Sequence, residues 1–254
     1  MIAKTTKEIN GLIEIGRVVA LVRDTLAQAV RPGITTLELD KMAKDLLDQE
    51  GALSAPKSSY DFPGYTCISV NEVACHGIPV NIPLKAGDWV NIDVSASKNG
   101  FFADTGMTVI AGDMDLKQED MLRVSREALK AGINAAKPGK STAAIGKAIF
   151  KTAVTNNYTV LRNLTGHGIG TSLHEDPHYI FNYHERRESS LLHEGQVVAI
   201  ETFISDGDEW VVDNPDGAWP MVTENHSQVV QFEHTVIVSK SGNRIVTASD
   251  YFHF

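Results

Sequence analysis

The chain has 254 residues, 43% of them hydrophobic and 22% charged, and a formal net charge of −9. This composition can bury a core in one large globular domain or in two small ones. The negative charge, with no Lys/Arg stripe, argues against nucleic acid as the main ligand. No run of about 18 apolar residues predicts a membrane span.

The N-terminal stretch, MIAKTTKEINGLIEIGRVVALVRD, carries charges at helical spacing and lacks the apolar core of a signal peptide. The chain has two cysteines, Cys67 and Cys75. So few cysteines suit a reducing compartment better than a disulfide framework. We therefore expect a cytoplasmic protein. The oligomeric state is open, and a monomer is the default expectation.

Two segments repeat one pattern at an offset of 106 residues (137 minus 31). Residues 31–47, RPGITTLELDKMAKDLL, align without a gap on residues 137–153, KPGKSTAAIGKAIFKTA. Each segment begins with a basic residue and Pro-Gly, and a Ser or Thr then opens a helix. Thr35 and Glu38 predict a capping box, and Ser141 is the matching N-cap without the acid.

The order of predicted elements also occurs twice. A helical segment precedes each copy of the repeat, and strand-rich sequence follows each copy, so each half reads helix, helix, strands. This order favours an α+β fold with antiparallel pairing, and a duplicated fold tends to place its ligand site between the halves. The helical segments are 6–29 and 116–135, the strand-rich stretches are 65–110 and 158–239, and the halves are about 1–112 and 113–254.

The stretch NIDVSASKNGFFADTG, residues 91–106, predicts a β-hairpin. Its Asn99-Gly100 pair is the typical sequence of a type I′ turn, which needs positive φ at both central residues. If this turn closes the hairpin, residues whose numbers sum to 199 face each other. One face then carries a core set, namely Val90, Ile92, Val94, Met107 and Val109.

The other face of this hairpin carries two aspartates. In the predicted register Asp93 opposes Gly106 and Asp104 opposes Ser95, so both carboxylates lie on one side as diagonal neighbours. Two like charges at this distance repel unless a positive group lies between them. The alternatives are a solvated polar face on an edge hairpin, and a bulge that breaks the parity.

Three further residues in the second half are candidate ligands. His167 lies between two glycines, which let the backbone approach closely and leave the imidazole unscreened. Glu201 and Glu233 each lie inside a strongly apolar strand, where an ionised carboxylate is costly unless it is paired or binds a metal. A structural histidine and edge glutamates facing water are the alternatives.

Four carboxylates and one imidazole together are typical of a site for two divalent cations, because the four acids neutralise two such ions. Mostly oxygen donors with one histidine favour Mn²⁺, Fe²⁺ or Co²⁺ over a structural zinc site, and Zn²⁺ is a further candidate. Two ions about 3.5 Å apart would lower the pKa of a bridging water and polarise a carbonyl for attack.

The residues around these candidates resemble a known family. The order of the five candidate ligands, together with ISVNEVACHGIP, VNIDVSA, ADTG, NLTGHGIGTSLHEDP, VVAIE and FEHTVIV, resembles the type I methionine aminopeptidases of the pita-bread metallopeptidase fold. The resemblance covers essentially the whole chain. It implies one catalytic domain over residues 1–254, of the kind found in bacteria, with a pseudo-twofold antiparallel sheet and helices on its outer face.

By this resemblance, Asp93 chelates one metal ion, whereas Asp104 and Glu233 bridge both ions. His167 and Glu201 complete the ligands of the other ion. Glu201 also handles the proton of the attacking water.

The resemblance also implies roles for two more histidines and for an apolar pocket. His76 contacts the scissile amide or the substrate amino terminus, and His174 hydrogen-bonds the substrate carbonyl and stabilises the tetrahedral intermediate. The methionine pocket is implied at Tyr60, Phe62, Cys67, Leu173 and Trp219. Ordinary core packing is the alternative for each pocket residue. For Trp219 the sequence supports core packing and a place in the pocket equally.

Family members can also carry a monovalent cation, which the resemblance places near Asn71 and Val73, close to Val229. Two features depart from the family pattern. Thr202 follows the first glutamate where most relatives have proline, and residues 59–61, SYD, differ from the commoner pocket rim. Six histidines match no motif and are interpreted as surface or structural, or left unassigned: His178, His184, His193, His226, His253 and His234.

The function implied by the resemblance is removal of the initiator methionine from nascent chains whose second residue is small, with contact to the ribosome exit region. Two alternatives remain open. A peptidase of the same fold that cuts before proline usually has an extra N-terminal domain, for which this chain has no room. A non-catalytic binding protein of this fold would typically have lost part of the ligand set.

Overall fold

The computed structural model describes residues 1–212 and 219–253. The described helices are α1 Thr6–Ala29, α2 Thr36–Glu50, α3 Ala55–Tyr60, α4 Leu116–Ala135 and α5 Thr142–Thr155. The strands of the first half are β1 Leu53–Ser54, β2 Cys67–Val70, β3 Val73–Cys75, β4 Trp89–Lys98 and β5 Phe101–Ile110. The strands of the second half are β6 Thr159–Val160, β7 Thr165–Gly168, β8 Glu175–Phe181, β9 Val197–Ser205, β10 Val211–Val212, β11 Met221–Thr223, β12 Val229–Ile237 and β13 Arg244–Ile245.

The four long helices occupy the segments that the periodicity predicts. Thr35 and Glu38 form the predicted capping box at the start of α2, and Gly51 ends this helix in the left-handed conformation, at φ 66°. Ser141 is the N-cap of α5, and its side chain makes no cap hydrogen bond. The short helix α3 was not predicted, because its sequence, APKSSY, is too short to show a helical period.

The two halves of the chain join into one antiparallel sheet. Its strand order is β1-β4-β5-β12-β9-β7-β8, so the halves meet where β5 lies beside β12. A second sheet, β10-β11-β3, also combines strands of both halves. The predicted α+β class with antiparallel pairing is therefore confirmed.

The hairpin of β4 and β5 has the predicted turn and register. Asn99 and Gly100 have φ values of 54° and 83°, as a type I′ turn requires. Asp93 lies opposite Gly106 and Ser95 lies opposite Asp104. No bulge breaks the parity, so both aspartates lie on the same face of the sheet.

Helices α1 and α4 cover the other face of the sheet. Helix α1 packs on β4 and β5, whereas α4 packs on β9 and β12. The core face of the hairpin supplies Val90, Ile92 and Val94, which are fully buried in the main hydrophobic cluster. Within the described residues, none of these helices has the length and apolarity to cross a membrane.

Replacing Gly100 by alanine is expected to destabilise the protein by about 1–2 kcal/mol, because an L-residue resists this left-handed backbone. Urea unfolding of the metal-free protein measures the change. Ser97→Ala, in the extended strand just before the turn, is the control and is expected to change stability by less than about 0.5 kcal/mol. An equal midpoint for both variants would contradict the turn assignment.

Candidate metal centre and active-site cavity

A cavity of about 340 Å³ opens on the face of the sheet away from α1 and α4. All of the candidate metal ligands, catalytic histidines and methionine-pocket residues named from the sequence line it, whereas Asn71 and Val73, named for a monovalent cation, do not. Those that line it are Asp93, Asp104, His167, Glu201 and Glu233, then His76 and His174, then Tyr60, Phe62, Cys67, Leu173 and Trp219. Residues from both halves of the chain therefore meet at one place.

The four carboxylates converge because four neighbouring strands each supply one. Asp93 lies on β4 and Asp104 on β5, on the face fixed by the hairpin register. Glu233 on β12 lies directly opposite Glu201 on β9. His167 on β7 lies opposite Ala199, two residues before Glu201 and on the same face of the sheet.

Burial makes this cluster of acids electrostatically unfavourable without a cation. Burial raises the pKa of Asp93 to about 6. It also raises the pKa of Asp104, Glu201 and Glu233 well above their usual range, with a further increase from neighbouring carboxylates. Burial disfavours the charged form of each acid, and like charges reinforce that effect. The four groups therefore cannot all be ionised at neutral pH unless a positive charge joins them.

His167 presents an unprotonated nitrogen to the acids. Its Nδ1 lies 3.0 Å from the Gly168 carbonyl, and a carbonyl only accepts, so Nδ1 carries the proton. Burial lowers the pKa of His167 to about 3, so the ring is neutral. Its Nε2 lies 3.9 Å from Asp104 Oδ2 and from Glu201 Oε1. Three lone-pair atoms thus face one another, which is the arrangement of a metal site.

Two buried carboxylate oxygens of this cluster have no hydrogen-bond partner among the described residues, Asp104 Oδ1 and Glu233 Oε1. Such orphaned acceptors are costly in a folded interior. Ligand atoms of Asp104, His167 and Glu233 also lie within 4.8 Å of one another. The residues present therefore fit divalent cations, because cations would bind both orphaned oxygens and offset the repulsion between the carboxylates.

One carboxylate of the cluster is oriented by a buried amide. Gln231 Nε2 donates to Glu233 Oε2 at 3.1 Å, and Asn91 Nδ2 donates to Gln231 Oε1 at 2.7 Å. The second bond fixes which end of the Gln231 amide faces Glu233. A Cβ at Gly106 would lie 1.9 Å from Gln231 Oε1. Position 106 must therefore be glycine for the amide to reach its place.

His76 and His174 lie at the mouth of the cavity. His76 follows β3 with a left-handed backbone, at φ 55°. His174 lies beside His167, with ring centroids 4.1 Å apart, and its Nδ1 is 2.6 Å from the Tyr60 hydroxyl. Burial lowers the pKa of both His76 and His174, so both imidazoles are neutral at neutral pH.

The remaining wall of the cavity is apolar. The rings of Phe62 and Trp219 meet edge to face at 5.4 Å. Phe62 and Leu173 are buried, whereas Trp219 is 38% exposed. Burial raises the pKa of the Cys67 thiol well above its usual range, so the thiol is neutral. The wall therefore suits an uncharged, sulfur-containing or aliphatic side chain.

Several wall residues were not identified from the sequence. Phe203 lies two positions after Glu201 on β9, so the period of a strand could have placed it on the same face. Tyr179 and Met221 come from elements that carry no such signal. The additional lining residues are Pro56, Cys75, Ser95, Asn163, Leu164, Thr165, His178, Tyr179, Phe203 and Met221.

Two of the unassigned features have clear positions. Thr202 is buried on the opposite face from Glu201, and its hydroxyl bonds Ser125 Oγ at 2.9 Å and donates to the Phe232 carbonyl at 3.2 Å. His234 lies on the core side of β12, where its Nδ1 bonds Thr247 Oγ1 at 2.8 Å. The interpretation of His178 as a surface or structural residue was incomplete, because this exposed histidine also lines the cavity rim.

Known proteins are similar to this chain in sequence and fold. The family model of metallopeptidase family M24 matches residues 10–240. The methionine aminopeptidase of Staphylococcus epidermidis is 48% identical over 252 residues, which is 98% of this chain and 100% of that protein. Methionine aminopeptidase 2 of Bacillus subtilis is 43% identical, over 97% of this chain and 99% of that protein. The crystal structure of methionine aminopeptidase from Rickettsia prowazekii superposes with a TM-score of 0.92 at 35% identity, covering 98% of this chain and 100% of that one.

Proposed function

This chain belongs to metallopeptidase family M24, and from that premise we propose that it removes the N-terminal methionine of polypeptides whose second residue is small. The match over nearly the full length of methionine aminopeptidases supports this activity, that of a metal-dependent exopeptidase. The predicted pita-bread fold is confirmed by the similarity to the Rickettsia prowazekii structure. The observation that carries the proposal is the buried set of four carboxylates and one neutral imidazole beside an apolar cavity.

Five residues are proposed to hold two divalent ions. Asp93 would hold one ion, Asp104 and Glu233 would be shared between the two ions, and His167 with Glu201 would hold the other. When bound, the ions lower the pKa of a water and polarise the scissile carbonyl. Mn²⁺, Fe²⁺ and Co²⁺ are the favoured ions for this mostly oxygen donor set, with Zn²⁺ as a further candidate.

The side chains of the chain itself handle the protons. Glu201 accepts the proton of the attacking water and later passes it to the departing amine. We propose that the Tyr60 hydroxyl donates to Nδ1 of the neutral His174 ring, 2.6 Å away, which would leave the ring proton on Nε2. That N–H donates to the carbonyl oxygen as negative charge develops on it. His76, on the other side of the mouth, contacts the scissile amide or the substrate amine.

The apolar wall selects the first residue of the substrate. The methionine side chain lies against Phe62, Cys67, Leu173 and Trp219, with its thioether in contact with aromatic rings. Tyr60 closes the rim beside His174. A bulky second residue is excluded sterically by the walls around the scissile bond.

Other parts of the function are proposed on the family resemblance. A monovalent cation would bind near Asn71 and Val73, where Asn71 has φ 56° and its Nδ2 donates to Asp88 Oδ1. The substrates are nascent polypeptide N-termini, met near the ribosome exit. Residues 1–254 act as one catalytic domain and as a monomer in the cytoplasm.

The two alternative functions make different demands on the site. A peptidase that cuts before proline would use the same metal ligands but would not require the sulfur-tolerant apolar wall. A binding protein would not require orphaned acceptors such as Asp104 Oδ1, whose burial is costly and brings no benefit without a cation. Both features favour methionine removal.

The test is hydrolysis of Met-Ala-Ser and Leu-Ala-Ser by metal-stripped protein, before and after addition of Mn²⁺ or Co²⁺. We expect metal-dependent release of methionine and little release of leucine, because a thioether makes favourable contacts with the aromatic rings of the wall that a branched aliphatic side chain lacks. Release of neither residue by folded, metal-loaded protein would support the binding protein. Cleavage of an Xaa-Pro peptide in place of Met-Ala-Ser would keep the metal site and overturn the specificity.

A further inference from the structure

The junction between the two halves of the sheet is bonded differently from the strands on either side of it. β4 pairs with β5 along the whole hairpin, and β9 pairs with β12 along the whole length of β12. In the described part of the chain, the backbones of β5 and β12 are paired at one position only, Phe232 opposite Met107. Asp104 and Glu233 lie on these two strands.

Threonine hydroxyls bridge the strands where backbone bonds would be expected. Thr235 Oγ1 accepts from the Asp104 N–H at 2.9 Å and donates to the Asp104 carbonyl at 2.8 Å. Thr108 Oγ1 does the same for Gln231, at 3.1 Å from its N–H and 3.0 Å from its carbonyl. Opposite residues of an antiparallel pair have a constant sum of residue numbers, and Met107 with Phe232 gives 107 plus 232, which is 339. Asp104 with Thr235 and Thr108 with Gln231 give the same sum, so each threonine lies opposite the residue that it bonds.

A third hydroxyl bridges the same junction from the core side. Thr105 Oγ1 donates to the Glu233 carbonyl at 2.9 Å. Arg23 Nη1 lies 2.5 Å from Thr105 Oγ1, and a guanidinium only donates, so the hydroxyl proton must point to Glu233. Arg23 is itself fully buried and bonded to Asp24. The direction of the Thr105 bond is therefore fixed.

A bridging hydroxyl changes the spacing between the strands. In a regular antiparallel pair, opposite residues exchange direct N–H···O bonds at a Cα separation of about 5.5 Å. A hydroxyl that both accepts from an N–H and donates to a carbonyl occupies the space between the strands and holds them further apart. Thr105, Thr108 and Thr235 are all buried, so water does not readily replace their hydroxyls. The separation of the two strands is thus built into the sequence.

We propose that the hydroxyls of Thr105, Thr108 and Thr235 are positioning groups that set the spacing between Asp104 and Glu233, and so decide whether two divalent ions bind together. The inference rests on the proposed function, in which these two carboxylates are shared between the ions. Ligands shared by two ions tolerate little change in spacing, because each carboxylate must reach both ions at once. Groups that orient metal ligands typically change metal affinity by about 10–100-fold when removed.

The test compares three variants of the metal-stripped full chain. Thr235→Val keeps the shape of the side chain and removes the hydroxyl, whereas Thr235→Ser keeps the hydroxyl. Thr36→Val is the matched control, because Thr36 Oγ1 bonds both the N–H and the carbonyl of Val80, at 2.8 Å and 3.1 Å. Neither Thr36 nor Val80 lines the cavity.

Mn²⁺ binding is measured by calorimetry, and the magnetic coupling between two bound Mn²⁺ ions is measured by electron paramagnetic resonance. Tm without metal reports the structural cost of each substitution. We expect Thr235→Val to lower the affinity for the second Mn²⁺ by about tenfold or more and to weaken the coupled signal. Thr235→Ser is expected to bind Mn²⁺ like the wild type, and Thr36→Val to lose Tm while binding the pair normally.

Three results overturn the inference. If Thr235→Val loses Tm but binds a coupled pair with wild-type affinity, the hydroxyl is structural only. If Thr235→Ser loses the pair as Thr235→Val does, packing and not the hydroxyl is responsible. If the wild type itself binds no coupled pair, the proposed metal site fails together with the inference. If Thr235→Val does not fold, Thr105→Val is judged by the same criteria.

Discussion

Glu233→Ala and Asp104→Ala are each expected to reduce turnover of Met-Ala-Ser below detection at saturating Mn²⁺. Each substitution removes a carboxylate that is proposed to be shared by both ions, so the loss affects the whole centre and not one ligand position. Glu233 is 1% exposed and lies opposite Glu201, so water cannot easily supply an equivalent ligand. The measurement is kcat with the Mn²⁺ content of each protein determined in parallel.

Glu233→Gln is the matched variant, because it keeps the volume and removes the charge. Burial raises the pKa of Glu233 well above its usual range, so the folded metal-free protein holds a proton that the unfolded chain releases. The wild type therefore loses stability as pH rises from about 4.3 through the raised pKa, and Glu233→Gln lacks this loss. At pH 8 we expect the metal-free variant to have a higher Tm than the metal-free wild type, whereas Mn²⁺ raises the Tm of the wild type only. Wild-type turnover by any of these variants at full Mn²⁺ occupancy would contradict the shared role.

His174→Ala is expected to lower kcat by on the order of 10²-fold or more while leaving Mn²⁺ binding largely intact. A donor aimed at the developing oxyanion has an effect of this size in other enzymes. The His174 ring lies beside His167 and bonds Tyr60, so it faces the substrate space from the rim. Steady-state kinetics and calorimetric Mn²⁺ titration of the same preparation measure the two quantities.

Tyr60→Phe provides a graded control for this role. It keeps the aromatic ring and removes only the hydroxyl that is proposed to hold the proton on His174 Nε2. We expect a smaller loss in kcat than for His174→Ala, and KM close to that of the wild type. A His174→Ala protein that lost Mn²⁺ but kept normal activity per bound ion would show that His174 supports the metal and not the carbonyl.

Local features of the sequence were sufficient for much of the fold. Asn99-Gly100 predicts its turn because few residue types adopt positive φ at two consecutive positions. The turn then determines the register that places Asp93 and Asp104 on one face. Thr35 and Glu38 predict the start of α2 for a similar reason, since their bonds are made within one helical turn. The class of the fold follows from the repeated order of such elements.

Features that depend on long-range contacts were less accessible. The helix α3, which carries Tyr60 to His174, has too few residues to show a period, and its position is set by contacts with β1 and β4. Met221 and Tyr179 reach the cavity from separate strands of different sheets. Their places follow from how the two sheets lie together, and neither strand alone shows it.

The candidate ligands could be named from the sequence because a buried carboxylate in an apolar strand is costly wherever the strand lies. That cost does not depend on which residue lies opposite, so Glu201 and Glu233 could each be identified separately. The junction of β5 and β12 is different. Thr235 acquires its role only beside Asp104, 131 positions away, and a hydroxyl that bridges two strands looks the same in the sequence as one that faces solvent. The sequence by itself therefore determined the turn, the register of the hairpin and the chemistry of the ligands, because these depend on near neighbours and on burial. Only the tertiary structure decided the spacing of the two halves and the walls of the cavity, because these depend on which distant strands become neighbours.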